Sequence, residues 1–598
     1  MFLSCRIHTR YRQYNKLKTN VANHRVTVAH AFAKLFSFIL LNRLTKFIEL
    51  KKLISPKQIG FMKGMRTSDH IFFLQTVVEK IVRKKKKKLF AVFIDFKKAY
   101  DTVDRSTLMN RLKHLGINGI FLRNILGMYM KTEYSIKLKH GYTRPIDSNL
   151  GLKQGCPLSP MLFNLYIDDI DNVFDDTCDP ITIQNERLNH FLYADDLVIL
   201  SQSNEGLQKC IDKVFEFSES KHLTISVKKS KTMVFNISGK FIKEPFTLNG
   251  KALEAVQSFC YLGFDVKCSG NVKHAMNILN DKGNKALKSL LTAIRRFNIP
   301  LKTSIRLFHT FISPILLYNA ENWNTLSDLS IKRFDKNSLF SMTSVSKIDI
   351  THRKFLKNIL GVTRACPSLS VYGETCEIPI SLKSYRLTLN YWHRVTNLPD
   401  TVLAKKALLE NIELRTNWII TIEKLISALD LADKVENYYK FKDAAKKALE
   451  DGFLEYWINS LSEPTLSRLT FYKKVKKEFR IESFIDTLSY EHRRAITKLR
   501  CSDHTLEIEK GRHKGIKDKS KRICPLCPNP KMEDEEHFIF HCKSYSHIRL
   551  KYNIGCMTPL QDLFNNNCTN LARYIIEALE YRDEIIRSGV GMSGAEGN

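Results

Sequence analysis

The sequence lacks a membrane-spanning segment, because no uninterrupted apolar run in its 598 residues reaches the length of about 18 residues that a transmembrane helix needs. The best candidate, residues 31–41, is shorter and contains Lys34, so it is predicted to be an amphipathic helix. Residues 1–6 contain no extended apolar core of the kind that a secretory signal requires. We therefore expect a protein with no membrane partner that is not secreted and resides in the nucleus, the cytoplasm or both.

Acidic residues are scarce relative to basic ones. The chain contains 61 Asp and Glu residues against 95 Lys and Arg residues, which gives a formal net charge of +34 at pH 7. Such an excess of positive charge favours a polyanionic partner or an anionic surface. The hydrophobic content of 43% can fill several cores. The composition thus indicates a large multidomain protein with a strongly anionic partner.

A disulfide framework is not expected, because the 14 cysteines are scattered along a long chain. One cluster is the exception: Cys524 and Cys527 form a Cys-x2-Cys pair, and His537 and Cys542 follow. This spacing is typical of a closed, structural Zn²⁺ site, and it would hold together a segment that has no large apolar core between residues 510 and 551. Two alternatives to this ligand set remain: His541 could take the place of one ligand, or the four side chains could be unrelated and bind no metal.

Carboxylates stand at the ends of two apolar segments. Residues 89–94 form an apolar strand that leads into Asp95, and residues 191–200 form two apolar runs with Asp195 and Asp196 between them. An ordinary Asp-Asp turn is the simpler explanation of the second segment taken alone. Together the carboxylates could converge on two Mg²⁺ ions, which bind hard oxygen ligands and clamp the oxygens of an in-line phosphoryl transfer. The pattern therefore indicates nucleotidyl-transfer chemistry.

These segments resemble motifs A and C of reverse transcriptases. Residues 151–167, which lie between them, are similar to motif B of the same enzymes. Residues 58–69 resemble the fingers motif of non-LTR (LINE-type) retrotransposons, residues 226–230 resemble motif D, and residues 259–263 resemble motif E. The resemblance continues into the thumb segment at 312–323 and the Cys-Cys-His-Cys segment. It covers roughly residues 20 to 550, most specifically residues 58–263.

The resemblance implies an α+β right-hand polymerase, with a palm built on an antiparallel sheet, a helical C-terminal region and a zinc-knuckle-like tail. The expected segments are fingers at 1–88, palm with motifs A to D at 89–245, motif E and thumb at 246–345, a helical region at 346–500 and the tail at 501–598. Within them, Asp104 is predicted to cap a helix that stops at Gly116, and residues 83–88 to form a solvated loop. Residues 250–345 are predicted to be mostly helical.

The resemblance also implies roles for individual side chains at the metal site. Asp95, Asp195 and Asp196 are expected to be catalytic and to bind two Mg²⁺ ions, with the backbone carbonyl of Phe96 as an additional ligand. Tyr100 matches the steric gate, a ring that leaves no room for a 2′-hydroxyl and so favours deoxynucleotides. A core tyrosine is the alternative for Tyr100.

Five further positions are expected to contact the incoming nucleotide. Gln154 and Gly155 match motif B positions that lie against the nucleotide and the templating base, and glycine allows a close approach of the backbone. Lys63 and Arg66 are candidates for triphosphate contact because of their charge. Lys229 matches the motif D lysine that protonates the departing pyrophosphate.

The implied activity is that of an RNA-directed DNA polymerase that extends a DNA primer on an RNA template with deoxynucleoside triphosphates. A ribonucleoprotein with element RNA is a further expectation, and no endonuclease is expected in this chain. The first alternative is a catalytically inactive RNA-binding remnant of such an element. The second is a group II intron maturase, which shares the polymerase motifs but matches the thumb and knuckle segments less well.

Overall fold

The computed structural model describes residues 7–10, 27–28, 31–130, 132–138, 140–323, 336–341, 343, 345–463, 467–528, 530–555 and 558–588. The chain divides into two compact units. Unit 1 comprises residues 1–275 and 394–420, and unit 2 comprises residues 276–393 and 421–598. Unit 1 is therefore discontinuous in sequence.

Strands occur in unit 1. Their bounds are β1 (Ile7–Arg10), β2 (Thr27–Val28), β3 (Leu89–Ile94), β4 (Glu133–Leu138), β5 (Gly141–Tyr142), β6 (Ile146–Asp147), β7 (Ile181–Ile183), β8 (Glu186–Leu188), β9 (His190–Tyr193), β10 (Asp196–Ser201), β11 (Lys231–Phe235), β12 (Thr247–Leu248), β13 (Lys251–Ala252), β14 (Glu254–Ala255), β15 (Ser258–Tyr261) and β16 (Phe264–Lys267).

Helices lie in both units. Their bounds are α1 (Ala31–Lys51), α2 (Thr67–Val78), α3 (Ala99–Thr102), α4 (Arg105–His114), α5 (Gly119–Met130), α6 (Ser159–Ile167), α7 (Asn204–Ser220), α8 (Lys273–Arg296), α9 (Leu301–Phe311), α10 (Ser313–Leu316), α11 (Lys336–Ser341), α12 (Lys347–Leu360), α13 (Ser368–Thr375), α14 (Ile380–Thr396), α15 (Leu403–Glu413), α16 (Asn417–Ala428), α17 (Tyr438–Ser462), α18 (Thr470–Val475), α19 (Ser483–Thr487), α20 (Tyr490–Arg500), α21 (Glu507–His513), α22 (Ser546–Lys551), α23 (Leu560–Asn565) and α24 (Cys568–Ser588).

The central sheet of unit 1 has the strand order β14-β11-β3-β10-β9. All six residues of β3 are buried, as expected for an apolar strand that is covered on both faces. Strand β3 pairs antiparallel with β10, and Ile94 lies opposite Leu197. By continuation of this register, Asp95 and Asp196 stand opposite each other at one end of the two central strands.

The helix after β3 forms as predicted. The Asp104 carboxylate accepts a hydrogen bond from the backbone N–H of Thr107 at 2.7 Å and so caps the start of α4. Leu108 and Leu112 are fully buried on one face of this helix. Gly116 follows the helix with a φ of +83°, a conformation that glycine adopts without strain. Residues 83–88 are all exposed, but the predicted loop comprises only residues 85–88, because Arg83 and Lys84 form the end of a π-helix over Glu79–Lys84.

Residues 394–420 return to unit 1 and pack on its second helix. Helix α15 lies against α2, and the Nζ atom of Lys80 is 2.7 Å from a carboxylate oxygen of Glu410. The Asn411 side chain donates a hydrogen bond to the Thr76 hydroxyl at 2.6 Å. This distant segment therefore covers a helix that follows the fingers motif.

Helices predominate among the described residues of 250–345, as predicted, but the first part of the segment is not helical. Residues 251–267 form short strands, and β15 and β16 make an antiparallel hairpin. The reason is the alternation of buried and more exposed residues along this stretch, with Tyr261, Phe264 and Val266 buried. Helix begins at Lys273.

The prediction that residues 510–551 lack a sizeable apolar core is wrong. Phe538, Tyr545 and Ile548 are buried, and the Phe538 ring lies 5.6 Å from that of Tyr574 on α24. Helix α24, which follows residues 510–551 in the chain, supplies the apolar surface against which they pack. The fold as a whole is mixed α+β with a helical C-terminal region, as predicted.

Among the described helices, none combines the length and the apolar character needed to cross a bilayer.

Candidate active site and cysteine–histidine centre

The Asp195–Asp196 pair lies at the tip of the hairpin formed by β9 and β10. Tyr193 pairs with Asp196, so Ala194 and Asp195 are the two turn residues. Ala194 has a φ of +56°, which is unusual for a residue with a Cβ. The turn places Asp195 beside Asp196 and at the same end of the sheet as Asp95.

Burial and the neighbouring carboxylates raise the pKa values of Asp195 and Asp196. Desolvation of the carboxylate by the surrounding protein, followed by the charges of Asp195 and Asp95, raises the pKa of Asp196 to about 6. Burial and the charge of Asp95 likewise raise the pKa of Asp195. Closely spaced carboxylates with raised pKa values are stabilised when a cation binds between them.

Asp95 also has capacity for a further ligand. Its Oδ2 atom is buried and makes no hydrogen bond to the described residues, and the Lys229 ammonium lies 3.3 Å from it. Lys229 thus neutralises part of the negative charge of the Asp95 carboxylate. The donor set of hard carboxylate oxygens fits Mg²⁺, and Asp95, Asp195 and Asp196 are the residues that would hold it.

The backbone of Asp95 is fixed by the segment that resembles motif D. Its N–H donates to the Ser230 hydroxyl at 3.1 Å, and its carbonyl accepts from the Ser226 N–H at 2.8 Å. Phe96 and Ile225 form an isolated antiparallel β-bridge, and the Phe96 side chain is buried. Residues 224–230 therefore hold the Asp95–Phe96 backbone in place and bring Lys229 to the carboxylate.

Tyr100 lies beside the acidic site. Its ring stacks on Phe163 with centroids 4.7 Å apart, and its buried hydroxyl makes no hydrogen bond to the described residues. Burial, followed by the charge of Asp195, raises the pKa of Tyr100. The tyrosine is thus held rigidly within electrostatic range of the carboxylates.

The segment that resembles motif B is tied to the residues after Tyr100. The Gln154 amide donates to the Asp101 carboxylate at 2.8 Å. A Cβ at Gly151 would lie 2.7 Å from the Asp101 carbonyl oxygen, so the close approach requires glycine. Gly155 has a φ of +84°, which also favours glycine. Gln154 and Gly155 therefore stand in a tight, glycine-dependent turn.

Lys63 and Arg66 are exposed at the start of α2. The Arg66 backbone N–H donates to the Asp69 carboxylate at 2.9 Å, and Arg394 forms an ion pair with the same carboxylate. Sequence reasoning gave no indication of Arg394, because it lies far along the chain in a segment without a motif. Gln58 and Asn164 lie within segments that resemble the polymerase motifs, but the sequence alone gives them no role.

The four candidate zinc ligands converge in unit 2. The ligand atoms of Cys524, Cys527, His537 and Cys542 all lie within 4.8 Å of one another. The Sγ atom of Cys542 is 3.9 Å from that of Cys524 and 3.5 Å from that of Cys527, close to the spacing of about 3.8 Å between sulfurs in a tetrahedral zinc site. His541 is exposed and does not join the cluster. The donor set is compatible with Zn²⁺.

A buried ion pair supports this cluster. Arg582 of α24 donates two hydrogen bonds to the Glu533 carboxylate at 2.8 and 2.7 Å, and Glu533 Oε1 lies 3.7 Å from the Cys524 sulfur. The hydrogen bond from the Cys524 thiol lowers the pKa of Cys542. A thiolate is the form that binds zinc, so one ligand is already biased toward the required state.

Comparison with known proteins defines the class. Residues 16–266 match the family described as reverse transcriptase (RNA-dependent DNA polymerase), so this part of the chain is a reverse transcriptase domain. The chain is 30% identical over 315 residues to a retrovirus-related Pol polyprotein from a type-1 retrotransposable element R2 of Popillia japonica, covering 51% of this chain and 42% of that protein. It is 26% identical over 297 residues to the corresponding polyprotein from the type-2 retrotransposable element R2DM of Drosophila melanogaster, covering 47% of this chain and 26% of that protein.

These relatives confirm the prediction of a reverse transcriptase of the non-LTR retrotransposon type. The chain spans less than half of the length of both polyproteins. Among solved structures, it is similar to apo telomerase from Candida tropicalis with a TM-score of 0.29 and 12% identity, covering 64% of this chain and 60% of that chain.

Proposed function

We propose that the chain is an RNA-directed DNA polymerase of a non-LTR retrotransposon that extends a DNA primer on an RNA template. The observation that carries the proposal is the group formed by Asp95, Asp195 and Asp196 at the end of the central strands, inside the segment that matches reverse transcriptases. Two Mg²⁺ ions held there would supply the electrostatic stabilisation that phosphoryl transfer needs. Deoxynucleoside triphosphates and an RNA template are the proposed substrates.

The chain's own residues then have distinct tasks. Asp95, Asp195 and Asp196 provide anionic ligands, together with the carbonyl of Phe96. Tyr100, fixed against Phe163, occupies the space that a 2′-hydroxyl would need.

Nucleotide binding is assigned to five other positions. Gln154 and Gly155 lie against the incoming nucleotide and the templating base, and Lys63 and Arg66 attract the triphosphate. Lys229 is close to the Asp95 carboxylate and carries a proton that the leaving pyrophosphate can accept.

The domain roles follow the same scheme. Residues 1–88 act as fingers, 89–245 as palm and 246–345 as motif E and thumb, and 346–500 form a helical region. The formal net charge of +34 supports binding of a nucleic-acid duplex, because Lys and Arg side chains neutralise phosphates. Residues 501–598 form a knuckle-like tail in which Zn²⁺ is bound by Cys524, Cys527, His537 and Cys542.

Primer extension on an RNA template with purified protein tests the proposal. Asp195→Asn is expected to lower the extension rate more than about a hundredfold, because even outer partners of metal ligands contribute ten- to a hundredfold. Template–primer binding, measured by gel shift, should persist because the basic surface is unchanged. Asp104→Asn is the matched control, since asparagine caps a helix as well as aspartate does.

A wild-type chain that binds RNA but does not extend primers would favour the inactive remnant instead. Wild-type extension rates for Asp195→Asn would overturn the two-metal assignment.

A further inference from the structure

The turn that carries Asp195 is held by a buried glutamine from a distant segment. Gln58 Oε1 accepts hydrogen bonds from the N–H of Ala194 at 2.8 Å and of Gly60 at 2.9 Å, and its Nε2 donates to the Ala194 carbonyl at 3.1 Å. Only 2% of Gln58 is exposed. One side-chain amide therefore satisfies both backbone groups of Ala194, the residue with a φ of +56°.

The backbone around Gln58 lies directly against the hairpin. The Ile59 N–H donates to the Leu192 carbonyl at 3.1 Å, and the Leu192 N–H donates to the Lys57 carbonyl at 2.8 Å. A Cβ at Gly60 would lie 2.2 Å from the Ala194 nitrogen, which no side chain could accommodate. Residues 57–60 thus run alongside β9 like a further strand, at a distance that glycine alone permits.

A second amide extends the contact to the helix that follows the motif B segment. Asn164 on α6 is fully buried and donates a hydrogen bond to the Gly60 carbonyl at 2.6 Å. Hydrogen bonds therefore lead from α6 through Gly60 and Gln58 to the turn that bears Asp195. This arrangement links the start of the fingers motif, the motif B helix and the acidic hairpin inside unit 1.

We propose that Gln58 is a positioning residue for the metal site: its amide holds Ala194 in the left-handed conformation and thereby sets the direction of the Asp195 carboxylate. The proposal rests on the proposed function only in assigning Mg²⁺ to this site. Ala194 disfavours a positive φ by itself, so the turn depends on an external partner that bonds both its N–H and its carbonyl. Loss of that partner lets the turn relax, and the carboxylates lose their common geometry.

The test is Gln58→Met, which keeps the length of the side chain and removes its hydrogen bonds. The Mg²⁺ concentration for half-maximal primer extension is expected to rise, and kcat to fall by about ten- to a hundredfold, the effect of a displacement near 1 Å at a reacting centre. The KM for template–primer should stay unchanged. Equal half-saturation by Mg²⁺ in the variant and the wild type would overturn the proposal.

Asn189→Leu is the matched control. Asn189 is also a buried amide in unit 1, and it donates to the carbonyls of Cys178 and Leu200 at the other end of the same hairpin. Its replacement is expected to lower Tm as Gln58→Met does but to leave the Mg²⁺ requirement unchanged. A rise in the Mg²⁺ requirement of both variants would show a general loss of stability and would contradict a specific role for Gln58.

Ala194→Gly provides a rescue, because glycine adopts a φ of +56° without a partner. In the double variant with Gln58→Met, the Mg²⁺ requirement is expected to return most of the way toward that of the wild type. No rescue would argue against the conformational mechanism. If Gln58→Met does not fold, Gln58→Asn, which is too short to reach both groups of Ala194, takes its place in both experiments.

Direct binding of Mn²⁺, followed by electron paramagnetic resonance on the full chain, separates this proposal from the proposed function. If wild-type protein binds Mn²⁺ and Gln58→Met binds it several-fold more weakly, the positioning role stands even when no primer is extended. If both bind Mn²⁺ equally, the positioning role fails even when primers are extended.

Discussion

Tyr100 illustrates how a single side chain gains a function from its neighbours. Its ring is stacked on Phe163, and burial together with the charge of Asp195 raises the pKa of its hydroxyl. The hydroxyl therefore stays protonated over the range in which polymerases work. A neutral, immobile ring next to an acidic site can exclude a sugar substituent by volume alone.

Replacing Tyr100 by Ala is expected to raise the incorporation of ribonucleotides relative to deoxynucleotides by at least about tenfold, because rejection by a steric clash is lost. Primer extension with each triphosphate measures the ratio of the two kcat/KM values. Tyr100→Phe retains the ring and should leave the ratio as in the wild type. A ratio that does not change in Tyr100→Ala would reduce Tyr100 to a core residue.

Sequence reasoning could find the carboxylates and Tyr100 because each lies at a recognisable position relative to an apolar strand. It could not find Gln58 or Asn164 as supports of the turn, because a buried amide has no local signature. Their partners, Ala194 and Gly60, are distant in the chain and become visible only in the fold. The metal-site roles of the aspartates and the contacts of Lys63 and Arg66 remain predictions.

At the level of helices, burial decides the charge of one carboxyl. Asp349 lies in the first turn of α12, is fully buried, and accepts a hydrogen bond from the Ser381 N–H at 3.1 Å. A helix N-terminus favours the anion, but burial is the larger effect and raises the pKa of Asp349 to about 6. In the folded protein the protonated form is thus favoured up to about pH 6.

The stability of Asp349→Asn relative to the wild type is expected to be greater at pH 7.5 than at pH 4.5. Because the folded pKa of Asp349 is above its unfolded value, its contribution to stability is full near pH 4 and is lost as the pH rises through about 6. The loss is on the order of 2 to 3 kcal/mol, and asparagine does not undergo it.

The measurement is the difference in Tm between variant and wild type as a function of pH. This difference should grow between pH 4.5 and about 6 and level off above it. Asp451→Asn, at an exposed position on α17, should show no such trend. A difference in Tm that stays constant with pH for Asp349→Asn would contradict the raised pKa.

The elements themselves were predictable where one local signal dominated. Asp104 and Gly116 mark both ends of α4 by cap chemistry, and the apolar run of β3 marks a buried strand. The short strands at 251–267 were missed because a few alternating residues give a weaker signal than the long helices that follow. Pairing partners, such as β11 next to β3, depend on contacts distant in sequence.

For the molecule as a whole, the cysteine–histidine centre gives a test that is independent of catalysis. Purified protein is expected to contain one Zn²⁺ per chain, and Cys527→Ser should lose it. Cys568→Ser is the control, since Cys568 is also only half-buried but lies outside the cluster. Metal content by mass spectrometry decides between one zinc and none.

Chelation of this zinc should increase hydrogen exchange in residues 523–545 and weaken RNA binding, with little change in extension at saturating template. Structural zinc contributes on the order of 10 kcal/mol of apparent binding free energy, enough to order a short segment. Helix α24 should stay protected, because it also packs on α20 and α23, which lie outside residues 523–545. Exchange that increases across α24 as well would mean that zinc supports the whole tail.

The return of residues 394–420 to unit 1 has a consequence for biosynthesis. A ribosome delivers a chain from its N-terminus, and domains generally fold as units once their segments are available. Helix α2 is almost entirely buried, and part of its cover, α15 with Leu403, Ala407 and Leu408, is made more than 300 residues later. In nascent unit 1 the face of α2 that α15 later covers therefore stays exposed while the intervening residues are translated, and this is the interval in which a chaperone can act on it.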